Sequence, residues 1–201
     1  MTPRSAWLAL SLTLALLAPG FAQAADTVRG GKLAYTCHGC HGIPDYRNAY
    51  PVYAVPKLGG QTATYLEIAL RGYRDGTRAH PTMVAQSASL TDQQISDVAA
   101  FLASHRSEAV DAGGETVPVF QKAAACAACH GQNGIGVSPQ WPTLAGQHEE
   151  YIVHALNQYR DGSRQDALMS PMAAPLTDQD IKLLAEYFSG LDGLETTSKA
   201  D

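Results

Sequence analysis

The feature that most constrains this chain is that its second half repeats its first. Placing Leu90-Thr91-Asp92-Gln93 over Leu176-Thr177-Asp178-Gln179 sets an offset of 86 that runs without a gap back to Pro56 and Pro142. In that register Leu58 meets Leu144, Gly60-Gln61 meets Gly146-Gln147 and Tyr65 meets Tyr151. Ala69-Leu70 meets Ala155-Leu156, and Tyr73-Arg74-Asp75-Gly76 meets Tyr159-Arg160-Asp161-Gly162. Chance does not place so many identities at one offset, so the chain holds two copies of one small domain. Upstream, Cys37-His38-Gly39-Cys40-His41 meets Cys126-Ala127-Ala128-Cys129-His130 at offset 89, so the first copy carries three extra residues between His41 and Pro56. The domains divide as residues 25–108 and 109–201, joined near Ser107 to Glu115, where Gly113-Gly114 and charged residues mark a linker.

A leader precedes them. Arg4 is a positive start, Ala6 to Leu17 an apolar stretch and Ala22-Gln23-Ala24 a small-residue cleavage site, so residues 1–24 read as a secretory signal peptide cut after Ala24. The alternative, an uncleaved anchor, meets a stretch shorter than the roughly 20 residues that span a bilayer. The net charge of -5 and the absence of any Lys/Arg run argue against nucleic acid as a partner, since that binding rests on neutralising phosphates. Only 11 Pro and 18 Gly in 201 residues argue against a disordered or collagen-like chain.

Each copy reads as helical. Thr91 and Thr177 are expected N-caps, with Gln94 or Asp180 three residues on, the first fitting a capping box. Ile95, Val98, Ala99 and Leu102 then recur at helical spacing, as do Ile181, Leu184, Ala185 and Phe188. A middle helix is expected from Thr62 to Tyr73 and from His148 to Tyr159, each closed by an Asp-Gly turn; a first helix leads into each Cys pair. Tyr50 to Val55 is apolar but bracketed by Pro51 and Pro56, which favours a loop. Three short helices enclose little core, and a domain of this size usually needs a staple, a metal or a cofactor.

The motif that supplies one is C-x-x-C-H, the attachment signature of c-type haem in an exported protein. Cysteines three apart on a helix face one side and can add across the two haem vinyl groups, and the following His lies under the iron. Cys37, Cys40, Cys126 and Cys129 are therefore the expected haem attachment points, with His41 and His130 as iron ligands. A disulfide, a redox dithiol or half a zinc site would also use such a Cys pair. A redox dithiol usually sits at a helix start in a thioredoxin-like α/β pattern, which is absent, and a zinc site joining the two pairs leaves the two adjacent His and the repeat unexplained. After the leader only Met83, Met169 and Met172 remain. Met83 falls on Met169, seven residues before the matched Leu90 and Leu176, in what reads as a loop before the last helix; these two are the expected sixth ligands. Met172, which falls on Gln86, and His80, which falls on Asp166, compete with them. His38 and His105 read as solvated, and His148 and His154 as packing or surface residues.

With its leader, its two C-x-x-C-H domains, the elements Pro56 to Gln61 and Pro142 to Gln147, the Tyr-Arg-Asp-Gly turns and the Met before Leu-Thr-Asp, the sequence resembles the dihaem cytochrome c4 family over nearly all of its mature length. The resemblance implies an all-α fold of two tandem class I cytochrome c domains, each a few short helices around one covalently bound haem c. It implies a pseudo-twofold interface with the haem propionates facing each other across it. In that fold a Pro carbonyl accepts from the ligand His; Pro142, twelve residues after His130, has the family spacing, whereas Pro56 is fifteen after His41 and corresponds only through the offset-86 register. Arg74, Arg78, Arg160, Arg164 and Trp141 are candidate propionate neighbours, with ordinary surface and packing roles equally open.

The family function is periplasmic electron transfer, from a quinol-oxidising complex or a dehydrogenase as donor towards a terminal oxidase as acceptor. Peripheral membrane association stays open. A haem subunit of a periplasmic dehydrogenase, such as a sulfide-oxidising flavocytochrome, shares the two-domain plan. A peroxidase-like enzyme fits worse, because a Met is available to each iron and about 85 residues per haem leave little room for a substrate pocket. Residues 25–108 carry +1 and residues 109–201 carry -7. Arg71, Arg74 and Arg78 could share one helical face of the first domain, which would suit an acidic partner there and a basic one at the second domain; the alternative is that both are solvated surfaces tuned for solubility.

Overall fold

The computed structural model describes residues 24–105 and 121–197; the expected leader before Ala24 and the linker lie outside the described residues. In the first domain Asp26 caps helix α1 (Thr27–Leu33) by accepting from the Arg29 N–H, and a 3-10 turn (Ala34–Thr36) leads into α2 (His38–His41). Helices α3 (Ala63–Arg74), α4 (Pro81–Ser87) and α5 (Asp92–Ser104) complete it. The second domain contains α6 (Ala123–His130), α7 (Glu149–Asp161), α8 (Met169–Ala173) and α9 (Asp178–Ser189). Among the described residues there is no strand, only two isolated bridges, and no helix long and apolar enough to cross a membrane.

The helices form where the apolar spacing places them. Leu66 and Leu70 of α3 pack on Ile95, Val98, Ala99 and Leu102 of α5, and Ile152 of α7 packs on Leu184, Ala185 and Phe188 of α9. Helix α1 crosses α5 at Gly30, where a Cβ would lie 2.0 Å from the Asp97 carbonyl oxygen, so no larger residue fits. The buried Asp97 carboxylate fixes that crossing by accepting from the Arg29 guanidinium and, at 2.8 Å, from the Asp26 N–H. Thr91 and Thr177 both head complete capping boxes; Asp180 returns the bond as Gln94 does, which extends the expected box to both copies. The middle helices stop at Gly76 and Gly162, whose φ of 77° and 81° lies in the left-handed region that favours glycine.

Two expectations fail here. The segments carrying Met83 and Met169 are short helices, not loops. Pro81 starts α4 with its fixed φ and no N–H to satisfy, while His80 Nδ1 accepts from the Met83 N–H at 3.3 Å. At the matching place Asp166 Oδ1 accepts from the Leu168 and Met169 N–H groups at 2.9 and 2.8 Å. Nor do Arg71, Arg74 and Arg78 form a free basic face. Helix α3 ends at Arg74, and both Arg71 and Arg74 pair with Asp92 at the start of α5. Arg160 and Asp178 make the same tie at 2.7 Å in the second domain.

Candidate haem-binding sites

Each C-x-x-C-H motif ends on a buried histidine held by one carbonyl. His41 Nδ1 donates to Pro56 O at 2.7 Å, and His130 Nδ1 donates to Pro142 O at 2.8 Å. The two contacts are equivalent despite the three-residue insertion, so Pro56 takes the place that its register assigns and its spacing obscured. An Nδ1–H committed to a carbonyl leaves Nε2 with its lone pair, the tautomer a metal-binding imidazole needs. Burial keeps both rings neutral: it pulls His41 down to about 4, with the charges of His80, His38 and Arg78 adding to it, and it lowers His130 as well.

The four cysteines are half-buried and none is paired in a disulfide. Cys37 and Cys40 straddle the start of α2, and Cys126 and Cys129 lie on α6. Burial raises Cys37 and Cys126, which disfavours reactive thiolates of the redox-dithiol kind. Met83 is half-buried and packs beside the first core cluster, and Met169 is half-buried at the first residue of α8. Met172, its competitor, is 46% exposed. His80 is engaged as the cap of α4.

The two domains meet through contacts that repeat at the sequence offset. Gln61 Nε2 donates to Thr143 O at 3.0 Å and Gln61 Oε1 accepts from the Thr143 N–H at 2.9 Å. Gln147 does the same to Lys57, at 3.0 and 2.9 Å. Arg78 donates to the Tyr151 hydroxyl while lying over the Tyr73 ring, and Arg164 donates to the Tyr65 hydroxyl while lying over the Tyr159 ring. The first domain's insertion breaks the symmetry. Its loop brings Tyr53 into a stack on His154 with ring centroids 4.0 Å apart, and the Ala54 N–H and Arg47 both donate to the Glu150 carboxylate.

Residues 27–106 and 118–192 each match the family described as Cytochrome c. A cytochrome c4 of Pseudomonas aeruginosa is 32% identical over 203 residues, spanning 92% of this chain and 98% of that relative. The chain belongs to the dihaem cytochrome c4 family. A thiosulfate dehydrogenase electron acceptor of Stutzerimonas stutzeri is 34% identical over 204 residues, 90% of this chain and 94% of the relative. The solved structure of reduced recombinant cytochrome c4 from Pseudomonas stutzeri has a TM-score of 0.67 at 28% identity, covering 84% of this chain and 100% of that one.

As a c4 cytochrome this is an electron-transfer protein with two covalently bound haem c groups, and its own residues suit them. Each domain offers two thiols, a neutral imidazole with an open Nε2 and a thioether. Among the described residues, Arg78 and Arg164 have no carboxylate partner although Arg164 is 8% exposed, and a buried guanidinium without an anion is costly. Two such cations at the domain interface fit the propionates of two haems. Arg74 and Arg160, two other candidates, are engaged by Asp92 and Asp178, and Trp141 is half-buried.

Two other residues depart from expectation. His38 is buried, with its Nδ1 on the Thr197 carbonyl at 3.1 Å and its ring edge-on to Phe101. His105 is half-buried on the Phe101 carbonyl at 2.8 Å. His154 does serve packing, as the partner of Tyr53, and His148 is half-buried at the N-cap of α7 with no side-chain cap bond. Reasoning from sequence missed Gln61 and Gln147 as contact residues. The repeat marked both, but identity at an offset carries no information about what the matched side chains touch.

Proposed function

We propose that this cytochrome is exported to the periplasm, with its leader removed after Ala24, and carries electrons from a quinol-oxidising complex or a dehydrogenase towards a terminal oxidase. In this reading Cys37 and Cys40 hold one haem and Cys126 and Cys129 the other, with His41 and Met83, and His130 and Met169, as axial ligands. When bound, each haem supplies a one-electron couple. The protein's part is to fix the ligands and exclude water. Pro56 and Pro142 hold the histidine tautomer, and Arg78 and Arg164 offset propionate charge within the interface. With a thioether available to each iron and core side chains filling each small domain, the protein serves as a carrier and not as an enzyme. The observation that carries the reading is the pair of buried histidines, each on the carbonyl of a matched Pro.

The test is a redox titration of the purified holoprotein followed by optical spectra, with the intact mass measured on denatured protein. Two one-electron steps at positive potentials, low-spin spectra and a mass of the cleaved chain plus two haems are expected. A single haem, or a high-spin ferric iron, would overturn it.

A second reading makes the chain the haem-bearing partner of a dehydrogenase. The similarity to a thiosulfate dehydrogenase electron acceptor over nine-tenths of the chain favours it specifically. Co-purification in a stable complex with a dehydrogenase selects this reading over the first, in which a dehydrogenase donor is met only in passing.

A further inference from the structure

Pro56 and Lys57 share one peptide group, and both of its polar atoms are in use. The carbonyl oxygen accepts from His41 Nδ1 at 2.7 Å, and the N–H donates to Gln147 Oε1 at 2.9 Å. In a trans peptide these two atoms point in opposite directions, so His41 and Gln147 sit at the two ends of one hydrogen-bonded line. The line repeats from His130 through the Pro142–Thr143 peptide to Gln61 Oε1. Both glutamines are 5% exposed. Each also donates its Nε2 to the carbonyl of the residue it grips, so the amide is locked against rotation. Each reaches this place from the opposite domain.

We infer that Gln147 is a positioning residue for the iron-binding histidine of the first domain, and Gln61 for that of the second, so that each domain adjusts the potential of the other's haem. The inference rests on the reading of His41 and His130 as iron ligands. Its physical basis is polarisation along a hydrogen-bond chain. A peptide whose N–H donates carries more negative charge on its oxygen and accepts more strongly at the other end. A stronger acceptor on Nδ1 makes the imidazole a more basic ligand, which favours the ferric state. Simple adhesion between the domains would need a contact of this kind somewhere, but not on the one peptide that holds the ligand.

The experiment uses the holoprotein with Gln147→Leu and with Gln61→Leu. It reads the potential of each haem by titration followed by NMR, and the position of each histidine Nδ1–H resonance in the reduced protein. Gln147→Leu is expected to shift the first haem about threefold towards the reduced form, ~28 mV at 59 mV per tenfold for one electron. It should move the His41 Nδ1–H resonance and leave His130 and the second haem unchanged; Gln61→Leu should give the mirror result. Gln147→Glu keeps an acceptor oxygen and adds charge to it, while giving up the Nε2 bond to the Lys57 carbonyl. Lys57 Nζ, 2.7 Å from the Gly146 carbonyl, is close by to offset that charge. This variant should shift the first haem the opposite way, and it keeps the test alive if the leucine variant does not fold. A shift confined to the haem of the mutated domain, equal shifts at both, or none would overturn the inference. In the unaltered protein, Nδ1–H resonances without the ring-current shift of a bound haem would instead overturn the ligand reading itself.

Discussion

Arg78 in the first domain donates a 2.6 Å hydrogen bond to the Tyr151 hydroxyl in the second. Eighty-six residues on, Arg164 returns the contact to Tyr65 at 3.1 Å. The Arg78 charge is near enough to His41 to depress its basicity, a smaller effect there than burial. Arg78→Leu therefore removes a cation from beside the first haem and should lower its potential by a few tens of millivolts, where ~59 mV is tenfold for one electron. Tyr151→Phe keeps that cation and should leave the potential within roughly 10 mV. Voltammetry of both variants checks the pair; equal shifts would mean that the hydrogen bond matters and the charge does not.

Met83→Ala and Met169→Ala should each remove about half of the ferric thioether-to-iron absorption band, because in the proposed ligation each supplies one of two equivalent bonds. Met172→Ala should leave the band whole, as befits a side chain 46% exposed. Loss of the band in Met172→Ala would move the second ligand by three residues.

Acid should weaken the domains through different carboxylates. The Arg29 guanidinium beside Asp97 holds it well below the usual carboxylate range, and Lys122 together with the Thr177 bonds holds Asp180 at about 2. Both groups take up a proton more readily when unfolded, near pH 4, so their stabilisation is present above that pH and is lost as pH falls. For Asp180 the loss runs between about pH 4 and 2, and for Asp97 it continues lower. Asp97→Asn should lower the melting temperature of the first domain at pH 7 by roughly 10 °C and flatten its dependence on acid. Leu183 stands where Asp97 does in the repeat, so the second domain should not respond to that variant.

Reversing Arg71 and Arg74 to Glu would set carboxylates against Asp92 and Glu67, and calorimetry should show the first domain melting roughly 5 °C lower. Any slowing of electron exchange in that variant would then reflect a loosened fold. Partner docking at the acidic second domain is better probed by Lys at the exposed Glu149 and Glu186. With a basic partner these changes should cut the association rate at low salt, and the difference should shrink as salt rises.

How much of this was legible follows from what each residue's role depends on. Helix ends at Thr91, Thr177, Gly76 and Gly162 are local events, set within four residues, and the sequence carried them. The C-x-x-C-H motifs were equally local. The partners of His38, Arg71 and Gln147 lie 159, 21 and 90 residues away along the chain. No periodicity reports such contacts. Arg78 turned inward because α3 ends at Arg74 and the chain reverses at Gly76, which placed it off the face that helical spacing assigned. Pro56 was recoverable from the register alone, since the insertion altered its distance from His41 without moving it relative to Leu58 and Gly60.

The matched contacts at Gln61 and Gln147, and at Tyr65 and Tyr151, have a consequence for descent. A surface whose every group finds its own counterpart across the boundary is isologous, the kind by which identical subunits form a closed pair. A single half carrying this face would be able to bind a second copy of itself. Fusion would then have added concentration and not chemistry. It also released the copies from being identical, so that one could acquire the Tyr53 loop and the other the carboxylate that receives it.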